Sequence, residues 1–222
     1  MLYGHTITIW EFGDGSHLAV SIETRKENGE QYSALTGFFR QFEFYYVVVV
    51  VVVADEHNLI ALCANHRDER VEFYRVTASK AGARALLDDD VLQMNALAEK
   101  PCWYNALTLN CTRTVWHHAK AVGSIFPTDC RLLANGYLVD LYYEYGSVST
   151  GIGLEEMVRR SDITEQARTA GIDLDFFSAI REGLPPRFLN APADGDAIEL
   201  RTPASSAISR FLKKNVLNGT ET

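Results

Sequence analysis

Two residues far apart in the chain, a cysteine and a histidine, have the types and settings that could do chemistry. Cys111 closes the polar, aromatic stretch Trp103-Tyr104-Asn105-Ala106-Leu107-Thr108-Leu109-Asn110, and a helix-like run from Thr112 to Val122 follows it directly. The thiolate, not the thiol, is the nucleophile, and the positive end of a helix dipole favours it. The competing reading is a small buried residue, since free cysteine is among the most buried types. His5, at the head of a strand-like run, shifts the balance toward chemistry. A histidine can take the thiol proton and hold a thiolate–imidazolium pair, while a third polar group orients the ring. Distance along the chain does not oppose the pairing, because such partners meet in space.

Other chemistries are weaker. His117-His118 with Cys111 or Cys102 would be the rival metal site, yet adjacent helical residues point about 100° apart and cannot both face one ion. One of the two histidines is expected at the surface and the other packed under the cysteine loop. His57 and His66 fall in polar turns and read as solvated, as do the carboxylates Asp88-Asp89-Asp90 and Glu155-Glu156. No Gly-x-Ser-x-Gly elbow marks a serine hydrolase, and no glycine-rich loop marks a phosphate site. The net charge of −8, with no basic cluster longer than Lys213-Lys214, argues against a nucleic-acid surface. Cys63, Cys102, Cys111 and Cys130 are too few for a disulfide scaffold and lack the C-x-x-C pairs of a zinc site.

The elements that must position this pair form an α+β pattern. With 222 residues, 47 % of them hydrophobic and 23 % charged, the chain suits one globular core. Thr6 to Phe12 and His17 to Thr24 read as a hairpin around Gly13-Asp14-Gly15-Ser16. A four-residue loop sets His5 across from Thr24; a five-residue loop including Phe12 sets it across from Glu23. A one-residue slip exchanges the faces of the strand, so both registers remain open. Arg25 to Glu30 reads as a solvated turn, Tyr32 to Gln41 as a short helix or bend, and Phe42 to Val53 as a buried central strand. That strand carries seven consecutive valines, which specify register poorly and are aggregation-prone when exposed. Its apolar run is far shorter than the about 20 residues of a membrane span. After a turn at Ala54 to Asn58, Leu59 to Ala64 and Val71 to Val76 read as two further strands of an antiparallel meander. A helix capped by Ser79 and running to about Ala98 precedes Pro101 and the cysteine loop. A helix starting at Pro127-Thr128-Asp129, interrupted by Asn135-Gly136, and helical runs at Leu154 to Ala170 and Leu174 to Glu182 complete the pattern. The tail from Asn190 to Thr222 offers little core and reads as loosely packed. No signal peptide is visible at the start, where Met1 runs straight into the first strand.

The stretches "GHTITIWEFGDGSHLAVSIETRKENGEQYSALTGFFRQFEFYYVV", "WYNALTLNCTRTVW" and "CRLLANGYLVDLYYEYG" together resemble the Lnb-type N-terminal periplasmic domain family, and "DFFSAIREGLPP" fits as well. The resemblance covers most of residues 4 to 187, which defines a domain over 1–187 followed by the tail 188–222. The valine tract is longer than the family's usual pattern. The resemblance implies an antiparallel sheet with helices packed on it, similar to the permuted papain-like hydrolases, in which a His-bearing strand precedes a Cys-bearing helix. His5 and Asn110-Cys111 stand in those positions. It also implies thiol chemistry on an acyl group: Cys111 attacks a lipid or lipoprotein ester, forms a thioester and passes the acyl group to an amine or water, without metal or cofactor. The third catalytic residue is drawn from Glu23, Ser21 and His17 on the second strand, with Glu23 preferred. Trp103, Tyr104, Asn105 and Asn110 are expected to line the substrate loop. Backbone N–H groups at the helix start are expected to stabilise an oxyanion. Family context further implies an extracytoplasmic domain, associated with the membrane through an anchor outside this chain. A cell-wall peptidase or amidase of the same fold and a non-catalytic module binding through Trp103 and Tyr104 are the alternatives. A lipid substrate calls for an apolar groove beside Cys111, and a peptide for a polar cleft.

Overall fold

The computed structural model describes residues 4–25, 42–51, 55–100, 102–124, 126–170 and 176–186. The expectations for Lys26 to Glu30, Tyr32 to Gln41, Val52-Val53 and the tail beyond residue 187 lie outside these residues. The architecture is mixed helix and strand, and every strand pairing whose register is defined is antiparallel.

The first hairpin forms where its turn chemistry places it. Strands β1 (Ile7–Glu11) and β2 (His17–Arg25) pair from Ile7↔Ser21 to Glu11↔His17, leaving Phe12 to Ser16 as a five-residue loop. Phe12 donates its N–H to the carbonyl of Ser16 (2.9 Å), and the carboxylate of Asp14 accepts from both the N–H and the hydroxyl of Ser16. Gly15 takes φ +82°, a left-handed conformation that glycine adopts without steric cost. Residues 17–22 of β2 are buried on both faces, as expected of an interior strand. The strand order is β1-β2-β3-β4, where β3 is Phe42–Val51 and β4 is Cys102–Tyr104. β3 therefore occupies the central position expected of the valine strand, and its other end pairs Phe42↔Tyr104, Glu43↔Trp103 and Phe44↔Cys102. The aromatic stretch before Cys111 thus opens as a short strand rather than as loop throughout.

The two later strands of the expected meander do not form. Helix α1 (Asp55–Ala61) continues into a π-helical turn at Leu62–His66. Glu56, Leu59, Ile60, Cys63 and Ala64 are buried along it, a 3.6-residue period that a short apolar run conceals when one of its inward positions is a glutamate. The segment 71–76 is extended but joins no strand. It finds backbone partners at a helix junction, where Phe73 N–H donates to Ser161 and Ile163 N–H donates to Val71. His57, expected in solvent, packs its ring edge-on against Phe176 with centroids 4.5 Å apart. His66 is exposed, as expected.

Helices α2 (Lys80–Glu99) and α3 (Cys111–Ala121) match their expected spans closely, with Leu87, Val91 and Met94 buried along α2. The run after Pro127 breaks into two 3-10 turns (Cys130–Leu132, Asn135–Tyr137) and α4 (Leu138–Glu144). The run from Leu154 divides into α5 (Leu154–Ser161) and α6 (Thr164–Thr169). The division falls where the Asp162 carboxylate accepts from the N–H and hydroxyl of Thr164 and so starts a new helix. Helix α7 (Phe176–Ala179) is a single turn.

The described residues fall into two compact units. One comprises 4–21, 47–51, 55–79, 128–170 and 176–186; the other comprises 22–25, 42–46, 80–100, 102–124 and 126–127. The first centres on Ile60, Ala64, Ile163, Ala167, Phe176, Ile180 and Leu184, with Ile9, Val71 and Phe73 against them. The second contains the cluster of Ile22, Tyr104 and Cys111, flanked by Leu97 and Val115.

Candidate functional site

Cys111 is the first residue of α3, and the loop before it is tied down by side-chain amides. Asn110 is the N-cap, in extended conformation, and its Oδ1 accepts from the N–H of Arg113 at 2.7 Å. Its Nδ2 donates back to the carbonyl of Ala106, while the hydroxyl of Thr114 donates to its own carbonyl. Asn105 closes the turn: its Oδ1 accepts from the N–H groups of Leu107 and Thr108, and its backbone exchanges both hydrogen bonds with Leu109. The Arg113 guanidinium donates to the carbonyl of Leu107. These bonds set the entry angle of α3 and place the Cys111 Cα at the positive end of the helix, where negative charge is stabilised. Cys111 itself is 6 % exposed, packed against Tyr104 and Ile22. Of the four residues expected to line a substrate loop, Asn105 turns its Oδ1 to the loop backbone, Asn110 spends its amide on the loop and the first turn of α3, Tyr104 is buried, and Trp103 is 62 % exposed.

His5 precedes β1 in the other compact unit. Its Nε2 lies 2.8 Å from the hydroxyl of Ser21 on β2, and Ser21 is completely buried. The register puts the five-residue loop in place, yet the His5 ring is met by Ser21. The side chain of Glu23, the preferred third residue, lies outside the described set. His17, the remaining candidate, is committed elsewhere. Its ring stacks on Phe177 at 4.9 Å and 1°, it is buried, and its Nδ1 has no hydrogen-bond partner among the described residues. Burial, and then the nearby Arg181 guanidinium, hold the pKa of His17 below that of an ordinary imidazole.

Two buried ionic clusters escaped the sequence reading. His118, in the last turn of α3, reaches α2: Nδ1 lies 2.6 Å from Asp89 Oδ2 and Nε2 lies 3.5 Å from Asp90 Oδ1. Asp90 is 4 % exposed, which corrects the expectation of a solvated carboxylate run, and His118 packs under helix α2 rather than under the loop. Burial pushes the Asp90 carboxyl up to about 6, with His118 opposing and Asp89 adding to the shift. The second cluster is Glu56, fully buried in α1, held by both oxygens to Arg181 at 3.0 and 3.1 Å. A carboxylate spaced three to four residues from large aliphatic side chains, as Glu56 is from Leu59 and Ile60, was the available signal. Among the described residues no group of side chains is arranged to hold a metal ion.

No helix among the described residues is long and apolar enough to cross a membrane. Comparison with characterised proteins yields no match, and neither does comparison with solved structures. A family model does match, over residues 1–136, a span that includes His5, Ser21, Asn110 and Cys111 and ends short of the wider resemblance to residue 187. With more than half of its length matched, this chain belongs to the Lnb N-terminal periplasmic domain family, and its place is outside the cytoplasm.

Proposed function

We propose that this domain is a thiol acyltransferase or hydrolase of the bacterial envelope, in a permuted papain-like arrangement, with Cys111 as nucleophile and His5 as its base. The observation that carries the reading is the placement of Cys111 as the first residue of α3, directly after its N-cap Asn110, in a chain of this family. The His5–Ser21 contact supports it, because a general base needs its second ring nitrogen held to fix tautomer and orientation. Ser21 takes the third position in this reading.

In the first half-reaction the Cys111 thiol loses its proton to His5, and Sγ attacks the carbonyl carbon of a lipid or lipoprotein acyl ester. The tetrahedral oxyanion collapses, the C–O bond breaks, and His5 returns the proton to the departing alkoxide. The resulting thioester is attacked by an amine or water, His5 takes the proton of the attacking group, and Cys111 leaves as the thiol. Nothing in this sequence requires a metal or an organic cofactor.

The test is alkylation of Cys111 by iodoacetamide against pH, in the wild type and in His5→Ala, with exposed Cys102 and Cys130 and buried Cys63 as internal references. A Cys111 profile displaced to lower pH than the exposed references, and returning toward them in His5→Ala, supports the pair. Hydrolysis of p-nitrophenyl acetate and p-nitrophenyl palmitate by the same proteins gives the second readout. Cys111→Ala should abolish turnover and His5→Ala should lower it about 10²–10⁴-fold. Equal activity in all three proteins sinks the proposal. A non-catalytic binding module is the second reading, favoured by the exposure of Trp103 (62 %) and Leu107 (45 %) in the loop before Cys111. It predicts an unreactive Cys111 whose profile ignores His5.

A further inference from the structure

His5 follows Gly4, the residue type with the most backbone freedom, and a base that must hold a fixed direction is poorly served by a free hinge beside it. The structure removes that freedom through Asn135. Gly4 N–H donates to Asn135 Oδ1 at 2.7 Å, and Asn135 Nδ2 donates to Gly4 O at 2.6 Å. The two bonds form a closed pair that only one orientation of the amide can satisfy. An antiparallel partner strand makes the same exchange with a residue opposite it, so the carboxamide stands where a strand's peptide group would. Because the N–H and C=O of Gly4 flank its φ and ψ, fixing both groups fixes both angles.

Asn135 is itself on a firm support. It opens a 3-10 turn that follows the turn at Cys130–Leu132, whose N-cap Asp129 accepts from the N–H of Arg131. The Arg131 guanidinium bridges the carboxylates of Asp129 and Glu144, tying this turn to α4. Leu132 and Leu138, on either side of Asn135, are buried. His5 is thus held at two points, its backbone entry by Asn135 and its ring by Ser21.

We infer that Asn135 is a positioning residue for His5, locking Gly4 so that the imidazole keeps the direction set by Ser21. The inference rests on the reading of His5 as the base toward Cys111. It goes beyond that reading by assigning a role to a residue 131 positions from Gly4 in the chain. A Cβ built on Gly4 meets nothing within 4 Å, so the contact is not one that demands glycine for space.

The test uses the whole 222-residue chain labelled with ¹⁵N-histidine, with the His5 ring signals assigned through His5→Ala. In wild type the ring nitrogen shifts should report one dominant tautomer. In Asn135→Ala they should move toward the averaged values of a free imidazole, and the pH midpoint of the His5 signals should move with them. Asn135→Asp keeps the acceptor for Gly4 N–H and loses the donor, so its signals should lie between the two. Gly4→Ala placed in the Asn135→Ala background should recover part of the wild-type shift by narrowing the backbone. Unchanged His5 signals in Asn135→Ala overturn the inference, as does a lowered melting temperature with no movement of those signals. Cys111 alkylation in His5→Ala is read separately: if it is unaffected while Asn135→Ala still moves the His5 ring, the catalytic reading falls and the positioning of His5 by Asn135 stands.

Discussion

His17 and His118 are both buried histidines in regular secondary structure, and different charged groups lie beside them. His17 lies on β2 against Phe177, beside an arginine that a buried glutamate holds in place. His118 lies on α3 against two aspartates of α2. At the first site the ring itself bears the cost of burial: charging it would put a second cation near Arg181, and its pKa is held down. At the second site the cost falls on a carboxylate, Asp90, pushed up to about 6 although His118 opposes the shift. Burial is the larger cause of both shifts, and the charge beside each group then adds to it at His17, through Arg181, and opposes it at Asp90, through His118.

These sites should give stability slopes of opposite sign in overlapping pH ranges. Below the ordinary imidazole value of 6.5 the unfolded chain takes up a proton that folded His17 refuses, so this site loses stability as pH falls. Folded Asp90 takes its proton near 6, whereas the unfolded chain waits until near 3.8, so this site gains stability over that interval as pH falls.

Three substitutions separate the two sites. The largest effect is expected from Arg181→Met, which replaces the guanidinium over the Phe73 ring with an apolar side chain and leaves the fully buried Glu56 without its cation. Breaking such a pair from one side costs about 3–5 kcal/mol, readable as a lower urea midpoint at neutral pH. Loss of the neighbouring charge should also weaken the acid penalty of His17, and a variant as stable as wild type would show that the pair is already solvated. Asp90→Asn comes next. The shift from 3.8 to about 6 corresponds to about 3 kcal/mol of pH-dependent stability, which the variant should lack between pH 4 and 6. Urea midpoints across that range check it, and an unaltered slope would place the shifted carboxyl elsewhere. The smallest effect is expected from His17→Phe, which retains an aromatic ring against Phe177 and removes the titrating nitrogen. Stability at pH 8 should change little, while the loss on acidification should flatten. A variant that keeps the full wild-type acid limb would remove His17 from the account.

What lay within reach of the sequence was local. The hairpin could be read from Gly13 to Ser16, α2 from Ser79 and its leucine side, and α3 from the helix-like run Thr112 to Val122, because turn formers, caps and side-chain spacing act over a few residues. Cys111 at the head of its helix was legible for the same reason. What the tertiary structure decided was which distant polar group each residue met. Glu56 inside α1 hid a helical period that only its pairing with Arg181 explains, and the segment 71–76 became something other than a strand because its backbone partners were at 161–163. Asp90 was read as solvent-facing until α3 brought His118 against it. Ser21, sixteen residues away on β2, met the His5 ring, and Asn135 closed two hydrogen bonds on Gly4. A buried polar group must be hydrogen-bonded or paired, but its sequence neighbourhood does not record with whom, since that partner is chosen by packing across the whole chain.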